Sequence, residues 1–375
     1  MARLNVLVTG GAGFIGSHLV DGLLAAGHRV RVIDALVPQV HGTDPSPQNL
    51  DPRAEFIRGD VANSLVVRSA LADVDVVFHQ AAEVGVAQSM YEIDRYVRAN
   101  TYGTSVLLQE LITNRGRIRK LVVASSMSIY GEGAYDCGSC QTLVFPQLRP
   151  TKQLLEKMWE LHCPKCATVA KPVPTTEEKP LYPTSVYAIT KQDQEQLCLV
   201  VGRAYGIPTV ALRYFNTYGP RQALSNPYTG VCAIFSARLI NDQPPVVFED
   251  GNQTRDFVHV SDIVRANLLA MESDSANYNV INIGTGKPTS VRQVAECLAE
   301  GLGRKLKPSV AGKYREGDIR HCIADITRAR HLLGFEPQVS FHEGLAELLH
   351  WVRSQTARDE VAHATAELAA RNLVR

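Results

Sequence analysis

The sequence has no long apolar run: nothing in it approaches the roughly 20 residues that cross a bilayer as a helix, which argues against a membrane-spanning protein. It also has no excess charge of either sign. Lys and Arg number 39 against 38 Asp and Glu, a net charge of +1, so neither nucleic acid nor a membrane surface is expected as the main partner. It has no internal repeat, and its N-terminus, MARLNVLVTGGAGFIG, has glycines where a signal peptide would carry a cleavage site. A cytoplasmic protein is therefore expected, and the cytosol keeps thiols reduced. The eight cysteines then need a reason other than a disulfide framework. What is present is ordinary globular material: 375 residues, 45% hydrophobic and 21% charged, enough for one large α/β domain and a smaller lobe.

Short apolar runs at 4–9, 29–35, 54–60, 75–82, 120–126 and 207–216 alternate with helix-like segments. That rhythm predicts a parallel, doubly wound sheet with helices on both faces. Two long helices are expected over 94–114 and 187–204. After Asn216 the pattern changes to mixed loops and short elements, including PPVVFEDG (244–251) and NVINIGTG (279–286), which predicts a second lobe over 217–353 with some return to the first domain (1–216). Residues 342–353 read as a helix and 354–375 as a helical or frayed tail. The stretch 133–176, with CGSC, CPKC and several prolines, breaks the α/β rhythm and reads as an insert.

Between the first strand and the first helix stands Thr9-Gly10-Gly11-Ala12-Gly13-Phe14-Ile15-Gly16. Glycines there permit a tight turn and let backbone N–H groups reach a pyrophosphate at a helix N-terminus. In that context the motif predicts a Rossmann-like site for a dinucleotide, with Gly10, Gly13, Phe14, Ile15 and Gly16 as contacts. Asp34 ends the second strand, where a carboxylate accepts hydrogen bonds from an adenosine ribose and repels a 2′-phosphate. No basic residue follows immediately, which favours NAD over NADP. Asp60, with Val61 beside it, reads equally as an adenine contact or as a solvated turn acid. Ala81 and Ala82 read equally as cofactor neighbours or as small core residues.

Tyr187 and Lys191 stand four apart and share a helix face. A phenol of ordinary pKa near 10 is a poor base at neutral pH. A nearby ammonium and the positive nicotinamide ring would favour the phenolate, making proton exchange with a sugar hydroxyl feasible. Ser126, at the end of the KLVVASS strand, is placed to hydrogen-bond that same hydroxyl. Tyr187 and Lys191 are also expected to touch the cofactor.

Taken in order, these motifs resemble the extended short-chain dehydrogenase/reductases of the sugar-nucleotide epimerase/dehydratase group, over about residues 4–353. The resemblance also rests on Ser125-Ser126-Met127-Ser128-Ile129-Tyr130-Gly131, Arg213-Tyr214-Phe215-Asn216, Arg255-Asp256-Phe257-Val258-His259-Val260 and Arg315-Glu316-Gly317-Asp318. It implies that Asn216 and Arg255 contact a nucleotide diphosphate, that Arg315 and Asp318 meet the phosphate or nucleoside, and that the protein is a homodimer paired through 94–114 and 187–204. Guanidinium groups suit the phosphate roles.

Within that group the branches differ after the Ser/Thr of the strand-end motif. Met127 and Ser128 stand where the 4,6-dehydratases carry an Asp-Glu pair. Ser128 stands where the decarboxylases carry Glu and the 3,5-epimerases Cys. The expected reaction is therefore oxidation at sugar carbon 4 and return of the hydride to the other face, a 4-epimerisation with NAD regenerated. Cys137-x-x-Cys140 and Cys163-x-x-Cys166 have nearly the spacing of a structural zinc ribbon. Four thiolates satisfy tetrahedral zinc, so His162 reads as a bystander. Cys198, Cys232, Cys297 and Cys322 read as core or incidental residues. With this insert, the pattern is similar to that of bacterial dTDP-L-rhamnose 4-epimerases, which form dTDP-6-deoxy-L-talose. UDP-glucuronate or UDP-hexose 4-epimerisation is the alternative.

Overall fold

The structure, a computed structural model, describes residues 3–44 and 46–375. Seven strands form its main sheet: β1 (Asn5–Thr9), β2 (Arg29–Asp34), β3 (Glu55–Arg58), β4 (Val76–His79), β5 (Lys120–Ser126), β6 (Thr209–Tyr214) and β7 (Val280–Ile283). They lie in the order β3-β2-β1-β4-β5-β6-β7, and every neighbouring pair is parallel. Side chains alternate between the two faces of the sheet, as the pleat requires. Val6, Val8, Val122 and Ala124 pack against the helices Phe14–Ala25 and Val260–Glu272 on one face. Leu7, Leu121 and Val123 meet Leu107, Leu111, Cys198 and Leu199 on the other. With both faces covered, a parallel strand reads as a continuous apolar run, and all seven residues of β5 are buried.

The strand order reverses between β1 and β4, so the carboxyl ends of the strands flank a crevice there. The turn after β1, Ser126 at the end of β5 and the loop after β4 all open into it. β7 belongs to the stretch that reads as second lobe. It pairs with β6 and covers what would otherwise be a bare sheet edge.

The segment 94–114 is not one regular helix. Ile93–Tyr96 and Gly103–Thr113 are joined by a π-helical stretch, Val97–Tyr102. The irregular turn carries Asn100, whose Oδ1 accepts from Glu83 N (2.7 Å) and whose Nδ2 donates to Thr190 Oγ1 (2.9 Å). That side chain ties the loop after β4 to the helix Val186–Tyr205.

Beyond β6 a smaller sheet (Asn216–Tyr218, Thr254–His259, Pro288–Ser290, His321–Cys322) packs with the helices Val231–Ile240, Val291–Gly301 and Phe341–Val352 around Phe235, Leu298 and Leu348. The insert forms a three-stranded antiparallel sheet, Ala134–Cys137, Thr142–Val144 and Lys171–Val173, with its own small core of Tyr135, Val144, Leu161 and Ala170. The tail is ordered in part as a helix, Val361–Ala370. No helix among the described residues is long and apolar enough to cross a membrane.

Candidate active site

The glycine turn shapes the floor of the crevice. Gly10 adopts φ +69°, and a Cβ there would come 2.8 Å from Ala81 Cα. At Gly16 a Cβ would overlap the Gly10 carbonyl oxygen. The turn leads into the helix Phe14–Ala25, whose Gly13 N-cap supplies no side-chain cap, leaving first-turn N–H groups for an anion. Asp34 is held by Ala12 N (3.0 Å) and Leu36 N (2.9 Å). The short helix Pro38–His41 also brings His41 Nε2 to 3.6 Å from Asp34, a neighbour seven residues away that the sequence reading did not weigh. Asp60 accepts from Ala62 N (2.8 Å) in its turn while also facing the crevice, so its two readings are compatible.

One cavity of about 660 Å³ gathers these groups. Gly10, Gly13, Phe14, Ile15, Gly16, Asp34, Asp60, Val61, Ala81 and Ala82 line it. Ser126, Tyr187 and Lys191 line it too, as do Asn216, Arg255, Arg315 and Asp318. Close approach of backbone at the glycines, a free helix N-terminus and an acid at the end of β2 together fit a dinucleotide such as NAD.

Tyr187 and Lys191 project from the helix Val186–Tyr205, which Ser185 caps by accepting from Ala188 N (3.1 Å). Tyr187 N donates to Ser89 Oγ (2.9 Å), and the Tyr187 ring meets Tyr96 edge-on with centroids 6.5 Å apart. Ser126 Oγ accepts from Ser128 N (3.1 Å) and lies 2.9 Å from Ser128 Oγ. Burial raises the Tyr187 phenol above its usual range, while hydrogen bonding to Ser126 opposes the rise. Burial likewise draws the Lys191 ammonium down to about 7. The lysine assistance expected from sequence is thus weak in the chain alone, because burial disfavours both charged forms.

Gln194 is a residue the sequence reading missed. Its Oε1 accepts from Lys191 Nζ (2.7 Å), and its Nε2 donates to Thr104 Oγ1 (2.9 Å) beside His79. His79, enclosed between Thr9 and Thr104, is held down to about 3 by burial and is a neutral hydrogen-bonding post. The available signal was spacing, since Gln194 lies three residues beyond Lys191 on the same helix.

Arg315 pairs with Asp318 (2.9 Å) and lies over the Phe248 ring (4.8 Å). Arg255 donates to the carbonyls of Ile319 (2.7 Å) and Arg320 (2.9 Å). Asn216 Oδ1 is buried and without a partner. Where a dehydratase acid–base pair would stand, Met127 and Ser128 line the wall.

In the insert, the sulfurs of Cys137, Cys140, Cys163 and Cys166 lie within 4.8 Å of one another. Cys137 Sγ is 3.5 Å from Cys166 Sγ, and Cys140 Sγ is 4.0 Å from Cys163 Sγ. His162 is outside the cluster and bridges to Val169 through its backbone. Cys198, Cys232 and Cys322 are buried singly. Beneath the insert lies an ionic network that sequence gave no sign of. Arg149 pairs with Glu249 (2.9 Å), and the fully buried Arg320 pairs with Glu160 (2.5 Å), Glu249 (2.9 Å) and Asp250 (2.7 Å).

Comparison with known proteins matches this architecture over most of its length. Residues 6–153 fit the model of the NAD dependent epimerase/dehydratase family, and residues 169–348 that of GDP-mannose 4,6 dehydratase. The chain is 35% identical to the dTDP-L-rhamnose 4-epimerase of Burkholderia thailandensis, over 94% of this chain and 96% of that one. Among solved structures it resembles Thermotoga maritima UDP-glucose 4-epimerase with UDP-glucose (TM-score 0.75, 34% identity, 93% and 99% coverage). It also resembles the UDP-glucuronic acid 4-epimerase of Bacillus cereus with UDP-glucuronic acid and NAD (TM-score 0.76, 29% identity, 93% and 99% coverage). The chain belongs to the NAD dependent epimerase/dehydratase family, among the nucleotide-sugar epimerases of the short-chain dehydrogenase/reductase type.

Proposed function

We propose that the protein inverts carbon 4 of a nucleotide-sugar, with dTDP-L-rhamnose as substrate and dTDP-6-deoxy-L-talose as product. The observation that carries the reaction is the one cavity lined together by the glycine turn, Ser126, Tyr187, Arg255 and Arg315, with Met127 and Ser128 in place of acids. Bound NAD supplies the hydride acceptor at carbon 4. Tyr187 takes the 4-hydroxyl proton and later returns it, Ser126 orients that hydroxyl, and Lys191, steadied by Gln194, holds the nicotinamide ribose side of the site. Gly10, Gly13, Phe14, Ile15 and Gly16 receive the pyrophosphate, and Asp34 the adenosine ribose, with Asp60 and Val61 near the adenine. Asn216, Arg255, Arg315 and Asp318 hold the nucleotide diphosphate.

A neutral sugar is favoured over a uronate by the placement of charge. Of the cations lining the cavity, Lys191 donates to Gln194, Arg238 pairs with Asp359 (3.0 Å), Arg315 pairs with Asp318 (2.9 Å) and Arg255 donates to backbone carbonyls. UDP-hexose epimerisation is the second reading, favoured by the likeness to the UDP-glucose 4-epimerase structure. Proton NMR in heavy water decides. Offered dTDP-L-rhamnose, UDP-glucose and UDP-glucuronate in turn, the enzyme is expected to convert the first to its 4-epimer without solvent deuterium at carbon 3 or 5. Ring deuterium or a deoxy-keto product would assign another branch.

The four-cysteine cluster is proposed as a structural zinc site. Zn–S bonds of about 2.3 Å in a tetrahedron place sulfurs about 3.8 Å apart, and the separations of 3.5 and 4.0 Å bracket that value. Backbone N–H groups of Cys140 and Lys165 already point at Cys137 and Cys163 sulfurs (both 3.4 Å), an arrangement suited to thiolates. Such a site requires reduced cysteines and fits the cytoplasm. Metal analysis of reduced protein purified without chelator is expected to find about one zinc per chain; a metal-free result removes the site.

Homodimerisation is proposed through the segments 94–114 and 187–204, which expose Val97, Tyr102, Ile189 and Val200. Sedimentation should show a dimer at micromolar concentration and a monomer for Val200→Glu. A monomeric parent protein would refute the pairing.

A further inference from the structure

The tail carries an apolar face that points into the cavity instead of into a protein core. Val361, Ala364, Thr365 and Leu368 all line the cavity. Their spacing i, i+3, i+4, i+7 puts them on one side of the helix Val361–Ala370. Ala364 and Leu368 are the only buried residues of that helix. A helix that turns its apolar stripe toward a ligand cavity is placed to gain its remaining burial from the ligand.

The segment is fastened at three places, each by polar contacts. At its start Asp359 pairs with Arg238 (3.0 Å), and Arg358 N donates to Ser225 Oγ (3.0 Å). In the middle Tyr228 OH donates to Glu367 Oε2 (3.0 Å), Tyr91 OH lies 3.2 Å from the same oxygen, and the Arg371 guanidinium sits over the Tyr91 ring (4.4 Å). At its end Arg375 exchanges both backbone hydrogen bonds with Tyr314 (2.9 and 3.1 Å), and Glu316 N donates to Leu373 O (3.0 Å). The fastenings therefore reach three separate stretches: Tyr91, residues 225–238, and the segment around Arg315, which also lines the cavity. A short terminal helix with two buried residues, held otherwise by polar ties, opens locally at lower cost than the core.

We propose that residues 357–375 form the outer wall of the nucleotide-sugar site, lifting to admit the ligand and closing its apolar face onto it. This rests on the epimerase reading for the identity of the ligand but not for the test. The probes are dTDP and UDP, titrated calorimetrically into full-length protein and into a chain ending at Ser354, with bound NAD measured alongside. Truncation is expected to raise both dissociation constants tenfold or more while leaving NAD content unchanged, and to raise KM far more than it lowers kcat. Unchanged nucleotide affinity would overturn the proposal. If the shortened chain loses NAD or unfolds, full-length Ala364→Trp decides, because a bulky side chain on the inner face should weaken dTDP at least tenfold with NAD retained; undiminished binding sinks the idea. The titrations need no turnover. A protein that epimerises none of the sugars would thus refute the functional reading and leave this result standing.

Discussion

Tyr187→Phe is expected to lower turnover by about 10²–10⁴-fold, the usual worth of a positioned acid–base group, while NAD stays bound. The substitution removes one oxygen from a half-buried ring that lines the cavity and packs edge-on to Tyr96. Phe keeps the shape and that contact, so the helix and its Ser89 anchor should hold. Cofactor affinity is expected to reside mainly in the glycine turn and Asp34, which the change does not touch. Only the proton at the sugar 4-hydroxyl loses its destination. Because burial raises the phenol, the parent enzyme holds little phenolate until substrate and cofactor are in place, and Phe has none to recover. Steady-state turnover with retained nicotinamide absorbance after gel filtration checks the prediction. Activity above a tenth of the parent would reassign the acid–base role.

The second large effect is on stability. Arg320→Met should destabilise the fold by about 3–5 kcal/mol, since removing one partner of a buried ionic group strands the others. Arg320 is fully buried and faces Glu160, Glu249 and Asp250 at once, an arrangement Met would leave as three acids around an apolar chain. Glu160 is held down to about 2 by His321 and Arg320, and Asp250 to about 2 by Arg320 against the opposing effect of burial. Carboxylates so depressed contribute stability above their unfolded pKa near 4 and lose it as pH falls toward 2. The parent should therefore shed this contribution over that window, and the variant should lack it already at neutral pH. Urea unfolding read at pH 7 and pH 3 tests both parts; equal midpoints for parent and variant at pH 7 would show the network to be neutral.

How much of this was legible in sequence follows from how local each signal is. The turn after β1 announces itself through adjacent glycines, and Tyr187 with Lys191 through helical spacing, because the physics behind each spans a few residues. The strands of the main sheet appear as apolar runs because both faces of a parallel sheet are covered. β7 escaped assignment to that sheet because nothing in VINI says which edge it will join; Asn282 must first find Tyr130 OH (2.7 Å) across 152 positions. Arg149 and Arg320 carry no signal in the sequence, since their acids come from distant segments. The tail helix showed its composition, but its apolar stripe has no meaning until a cavity stands opposite.

The late arrival of β7 also shapes how the chain can be made. When the first 216 residues have left the ribosome, β6 presents a bare parallel edge. Ile263, Ala266 and Ala270, which cover Leu19 and Val20, do not yet exist. Elongation needs on the order of ten seconds to reach residue 283, and for that interval the nascent half is an open, sticky template. A fragment ending at Asn216 should therefore aggregate when expressed alone, and chaperone dependence should fall on the first half of the polypeptide. The main sheet is completed only by residues translated after the smaller lobe has begun.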